Sequence, residues 1–128
     1  MSLWQQHDIE SKVLAILRDD RYSDTEHHMG APFLTAYQIT LEFAKRHPET
    51  VEALGYPIGG LGTGERFSLS TYLARRLSER VKQGDIPVEG AFLSNWHLND
   101  ITFREGENII TSSLTGTTYT LSMFRLRE

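Results

Sequence analysis

Apolar residues recur at helical spacing in three separate stretches of the first two-thirds of the chain. Ile9, Val13, Ile16 and Leu17 fall at i, i+4, i+7 and i+8, one face of a helix predicted over residues 8–19. Asp8 and Glu10 put negative charge at its start, where the helix dipole favours it. A second helix is predicted over 35–47, with Ala36, Ile39, Phe43 and Ala44 as its buried stripe. Thr35 and Gln38 have capping-box spacing, and Leu34 and Ile39 stand at the staple positions. Pro48 ends this helix and opens a short turn through Leu54, which Gly55 closes. The third helix is predicted over 68–83, capped by Ser68 and stopped by Gly84, with Leu69, Leu73, Leu77 and Val81 repeating at i+4. At roughly 1.5–3 kcal/mol per buried side chain that stripe is worth ~6–12 kcal/mol before entropy is charged, enough to dock the helix in one orientation.

The intervening stretches lack such periodicity. Residues 19–32 are rich in turn formers and read as a loop. Residues 55–65 hold five glycines in eleven positions, which a helix would not tolerate. After Pro87 the apolar spacing shifts towards alternation: Ile101 and Phe103, a turn at Glu105–Asn108, a return strand from Ile109, a second turn at Thr115-Gly116, then Tyr119, Leu121 and Met123 opposite Phe124 and Leu126. This predicts an antiparallel β-meander over about 91–126, with 91–96 ambiguous between strand and short helix. The fold class expected is therefore α+β, an N-terminal three-helix unit followed by a small meander, in a single domain spanning residues 1–128.

Composition narrows the classes. The chain has 128 residues, 39% of them hydrophobic, and no cysteine, so disulfides, thiolate nucleophiles and Cys-type zinc sites are excluded. No apolar run approaches the ~20 residues of a membrane-spanning helix. The first eleven residues carry neither a basic nor an apolar signal region, and a soluble cytoplasmic protein is expected.

Net charge is −4, but it is unevenly spread. Residues 1–60 hold nine acids against five Lys and Arg, whereas residues 65–84 hold five cations against two glutamates, a local balance of +3. On the third helix Thr71, Arg75, Ser78 and Lys82 lie opposite the leucine stripe, with Tyr72 and Glu79 at one flank. Cations, hydroxyls and an aromatic ring suit contacts to phosphates and base edges. Arg75/Glu79 and Glu79/Lys82 also have the spacing of ion pairs on an ordinary solvated face. Arg76 and Arg80 lie nearer the buried arc and are expected to brace the loop or the sheet.

The stretch TAYQITLEFAKRH, then SLSTYLARRLSERV, then the hairpin around Arg104-Glu105-Gly106-Glu107, resembles a winged helix-turn-helix DNA-binding domain in element order. The resemblance implies that the helix at 68–83 is the recognition helix and the hairpin at 101–111 the wing. It implies a non-catalytic regulator that binds double-stranded DNA, with Arg66, Thr71, Tyr72, Arg75, Ser78, Lys82 and Arg104 as contacts. Two features depart from the pattern: twenty residues separate His47 from Ser68 where a short turn is usual, and Arg104 stands beside two glutamates.

Other chemistry is less well supplied. The glycine-rich loop leads into a helix, the geometry that binds anions, but Glu65-Arg66 stands where a Walker loop needs Lys-Ser/Thr. Asp24, Glu26, His27 and His28 cluster without metal-ligand spacing, and no nucleophile elbow occurs. No cofactor and no metal are expected. Two alternatives stand beside DNA binding: a protein–protein or self-association module with an exposed last strand, and a small enzyme built on the loop at 55–65.

Overall fold

The computed structural model describes residues 2–20, 28–59, 68–112 and 120–127. Helices α1 (Leu3–Gln6) and α2 (Ile9–Asp19) precede a two-residue strand β1 (Leu34–Thr35). Helices α3 (Ala36–Arg46), α4 (Pro48–Leu54) and α5 (Leu69–Gln83) follow, and then strands β2 (Val88–Leu93), β3 (Thr102–Glu105), β4 (Asn108–Thr111) and β5 (Leu121–Leu126). The architecture is α+β, helices with a small antiparallel sheet. The three long helices lie where apolar periodicity places them.

The caps of α3 and α5 are those the sequence predicts. Thr35 Oγ1 accepts the Gln38 N–H at 3.2 Å, and Gln38 Oε1 accepts the Thr35 N–H at 2.7 Å, a complete capping box. Ser68 accepts the Thr71 N–H at 3.1 Å, and Gly84 stops α5 in the left-handed region. The stretch from Pro48 to Leu54 is a helix rather than a turn: Pro48 is pre-organised for its first turn, and Gly55 ends it at φ 77°.

The strands pair differently from a meander. β3 and β4 form an antiparallel hairpin by themselves, while β5 lies between β1 and β2 in a three-stranded antiparallel sheet. The last strand is therefore central, and β2 is an outer strand. Residues 91–93 are strand, part of β2, and the chain turns after Leu93. Tyr119 and the turn at Thr115-Gly116 lie outside the described residues.

Packing explains this choice. Phe124 and Leu126 of β5 and Val88 of β2 join a core with Trp4, Ile9, Val13, Ile16, Leu17, Ile39, Phe43, Leu69, Leu73 and Leu77. A second cluster, Tyr37, Leu41, Ile110 and Leu121, forms where the hairpin lies on the other side of α3. Phe103 of β3 stacks on Tyr37 with ring centroids 5.7 Å apart. Helix α3 is thus buried on two sides, and the expected single stripe accounts for only one of them. The hydroxyl of Thr40, fully buried there, donates to the Ala36 carbonyl at 2.7 Å, so its polar group is not stranded.

Candidate nucleic-acid interface

Helix α5 is held along its buried side by Leu69, Leu73 and Leu77, each with no exposed surface. The opposite side is thereby turned outward. Arg75, Ser78 and Lys82 are exposed on it, at i, i+3 and i+7, and Thr71 is half-buried at the start of the same stripe. Arg75 and Lys82 form no ion pair or hydrogen bond with any described residue. Glu79 does not quench them, because it accepts from Arg76 at 3.2 Å instead. The Thr71 hydroxyl accepts from Ser68 Oγ at 2.9 Å, so it belongs partly to the cap.

Tyr72, expected at the flank of the stripe as a nucleic-acid contact, is turned inward. Its ring stacks on Tyr56 at 5.3 Å and meets Trp4 edge-on at 6.1 Å, and it packs against the main core. Burial raises its phenol above the ordinary value, with Arg76 pulling the other way. Arg104 is exposed, but on β3. Its hairpin rests on α3, where Phe103 meets Tyr37 and Glu105 lies 3.7 Å from Lys45. Arg66 lies outside the described residues, as do Asp24, Glu26 and His27.

Arg76 and Arg80 do brace the fold, but against the N-terminal helices rather than the loop or the sheet. Arg76 lies over the Trp4 ring, 5.6 Å from its centroid. Arg80 donates to Glu10 at 2.6 Å and to Asp85 at 3.1 Å. The contacts with Trp4 and Glu10 join elements remote in sequence, and no spacing rule could have supplied them. That Trp4 and Glu10 meet these two cations could not be read from spacing, for the same reason.

The start of α5 cannot serve as an anion site through its own amides. The Leu69 N–H donates to the Pro57 carbonyl at 2.7 Å and the Ser70 N–H to the Ile58 carbonyl at 3.0 Å. With Thr71 held by Ser68, the first orphan donors of the helix are satisfied within the chain. Gly59 is needed for this seating: its φ is 130°, and a Cβ there would stand 2.7 Å from Ser70 Oγ. That glycine's role is a close backbone approach, not a ligand cradle. Among the described residues no three His, Asp or Glu side chains gather as a metal site.

No protein-family model matches this chain, and comparison with curated proteins and with solved structures gives no match either. Among the described residues no helix is long and apolar enough to cross a membrane.

Proposed function

We propose that this protein binds nucleic acid, double-stranded DNA in the first instance, through the outward side of α5 in a winged-helix-like arrangement. One observation carries the reading: Arg75 and Lys82 remain exposed and unpaired among the described residues, while Arg76 and Arg80 on the same helix are engaged. Two turns of helix, about 10.5 Å, separate the two free cations along the axis. A helix docked on one side by leucines and cationic on the other fits the major groove. Arg75 has the donor geometry for a guanine edge or a phosphate, Lys82 acts as a point charge, and Ser78 between them offers a hydroxyl. The order of elements supports the reading too, since α5 is followed by β2, a hairpin and the returning β5.

The role is recognition without catalysis, in a cytoplasmic protein. With Arg75 and Lys82 the cations of the stripe unpaired among the described residues, the electrostatic part of binding is small. The test is fluorescence anisotropy of a labelled duplex titrated with the full chain across a salt series. The logarithm of the binding constant should fall with the logarithm of salt, with a slope of about −0.9 per phosphate neutralised. Arg75→Ala and Lys82→Ala should each reduce the slope by about one such unit. A flat salt response, or binding untouched by the double variant, rejects the reading.

A further inference from the structure

Glu79 is the only acidic residue of α5. It stands about 6 Å beyond Arg75 along the axis and about 40° round it, still on the outward half of the helix. Its side chain is 50% exposed. Oε2 accepts from Arg76 at 3.2 Å, and Arg76 lies over the ring of Trp4, which is itself buried. The carboxylate is thus held from the side away from the stripe, by a cation seated on a fixed ring. Its other oxygen, Oε1, accepts from no described residue.

We propose that Glu79 reads a base, accepting a hydrogen bond through Oε1 from the N4 amino group of a cytosine in the major groove. The inference rests on the reading of α5 as a DNA-facing helix and names what that helix prefers. A carboxylate on such a face is repelled by the phosphates of every sequence, and only a contact to a base edge can offset this. In the major groove cytosine and adenine alone present an amino donor. Adenine sets its N7 acceptor beside that donor, which a carboxylate repels, whereas cytosine sets no acceptor there. Cytosine is therefore the favoured partner. Arg75 carries the donors for guanine O6 and N7, and base pairs stack about 3.4 Å apart, so the two residues read positions within about two steps of each other.

Two substitutions separate this role from a purely structural one. Glutamine ends in an acceptor and a donor, and can bond N6 and N7 of adenine together. Glu79→Gln should therefore move the preference at that position from cytosine to adenine, which loss of the Arg76 contact by itself would not do. Glu79→Ala should leave the four bases equivalent there. It should also tighten binding to unrelated duplexes, because a repulsion from phosphate is gone. Both variants alter a half-exposed side chain, so the far-ultraviolet circular dichroism spectrum should be unchanged.

Selection of duplexes from a randomised pool by the full chain, followed by anisotropy on the selected duplex and its single-base variants, tests it. The expected site holds a guanine whose selection is lost in Arg75→Ala, and a cytosine within two base pairs of it. Replacing that cytosine with thymine should weaken binding about tenfold. A cytosine preference that survives in Glu79→Ala overturns the proposal, as does Glu79→Gln without a move to adenine. Salt-dependent binding with no base preference near the guanine, or with none at any position, overturns it and leaves nucleic-acid binding standing. A chain that binds no duplex at any salt concentration overturns both.

Discussion

Arg80 of α5 donates through Nε to Oε1 of Glu10 on α2 at 2.6 Å, joining positions seventy residues apart. The same carboxylate oxygen accepts the indole N–H of Trp4 at 3.3 Å. One oxygen thus ties α1, α2 and α5 together, beside the ring of Trp4 that Arg76 covers. Through this contact the N-terminal helices engage Arg76 and Arg80, while Arg75 and Lys82 lie on the side of α5 opposite its leucines.

Glu10→Ala should lower the melting temperature, and so should Arg80→Ala, with the double variant losing less than the sum. Because the pair is open to solvent, the coupling should shrink as salt is raised. Thermal denaturation of the four proteins at low and high salt measures it, and additive losses would remove the pair from the account of how α5 is held.

Arg125 of β5 is a second tie. It pairs with Glu89 of β2, donates to the carbonyls of Met29 and Ala31, and lies 4.3 Å from the centroid of Phe33. Arg125→Ala removes all of these and should cost about 2–3 kcal/mol in denaturant unfolding. Arg125→Lys should recover only part, because an ammonium lacks the planar fork that serves several acceptors at once.

Gly59→Ala should destabilise by about 1–3 kcal/mol. The added methyl meets Ser70 Oγ, and the φ of 130° suits only glycine. Gly59→Ala combined with Ser70→Ala removes the 2.7 Å contact with Oγ but leaves the Cβ atoms of residues 70 and 68 at 3.0 and 3.3 Å and the backbone strain, so chemical denaturation of the double variant should show only partial recovery. Full recovery would mean that the contact, not the dihedral, is decisive.

Leu73→Ala removes a fully buried side chain from the centre of the main core and should cost about 2–5 kcal/mol. Thr35→Ala, which breaks the capping box of α3, should cost about 1 kcal/mol. Equal losses in urea titrations of the two variants would contradict the full burial of Leu73 in the main core.

His47 supplies a pH dependence. Burial holds its imidazole below the ordinary value of 6.5, Lys12 and Arg46 push the same way, and Glu49 opposes them. The unfolded chain therefore binds the proton more readily than the folded one, and stability rises with pH across this range. The contribution is complete above about 6.5 and is lost as pH falls through the lower folded value. His47→Asn should flatten stability between neutral and mildly acidic pH, and an unchanged profile would assign the effect elsewhere.

The recognition helix candidate and the order of the strands differ in how far they could be read in advance. The leucine repeat of α5 and its Ser68 and Gly84 ends are local patterns, in which neighbours three and four residues apart decide the outcome. Arg75, Ser78 and Lys82 followed from the same periodicity. Tyr72 did not, because its ring is claimed by Tyr56 and Trp4, and no helical angle reveals an aromatic neighbour sixty-eight residues earlier in the chain.

Strand order was decided in the same non-local way. Alternation in Leu121–Leu126 marks a strand with two usable faces but does not say beside which strand it lies. Burial of Phe124 and Leu126 against the helices, together with closure of the hairpin over Tyr37 and Leu41, puts β5 between β1 and β2. What the sequence by itself determined was the three long helices, the caps of α3 and α5 and the cationic stripe, because those depend on spacing along one chain segment. Tertiary structure alone decided which cations are paired, which strand is outermost and which aromatic rings face solvent. Each of these is settled by competition for partners among groups far apart in the chain, where packing and desolvation outweigh local preference.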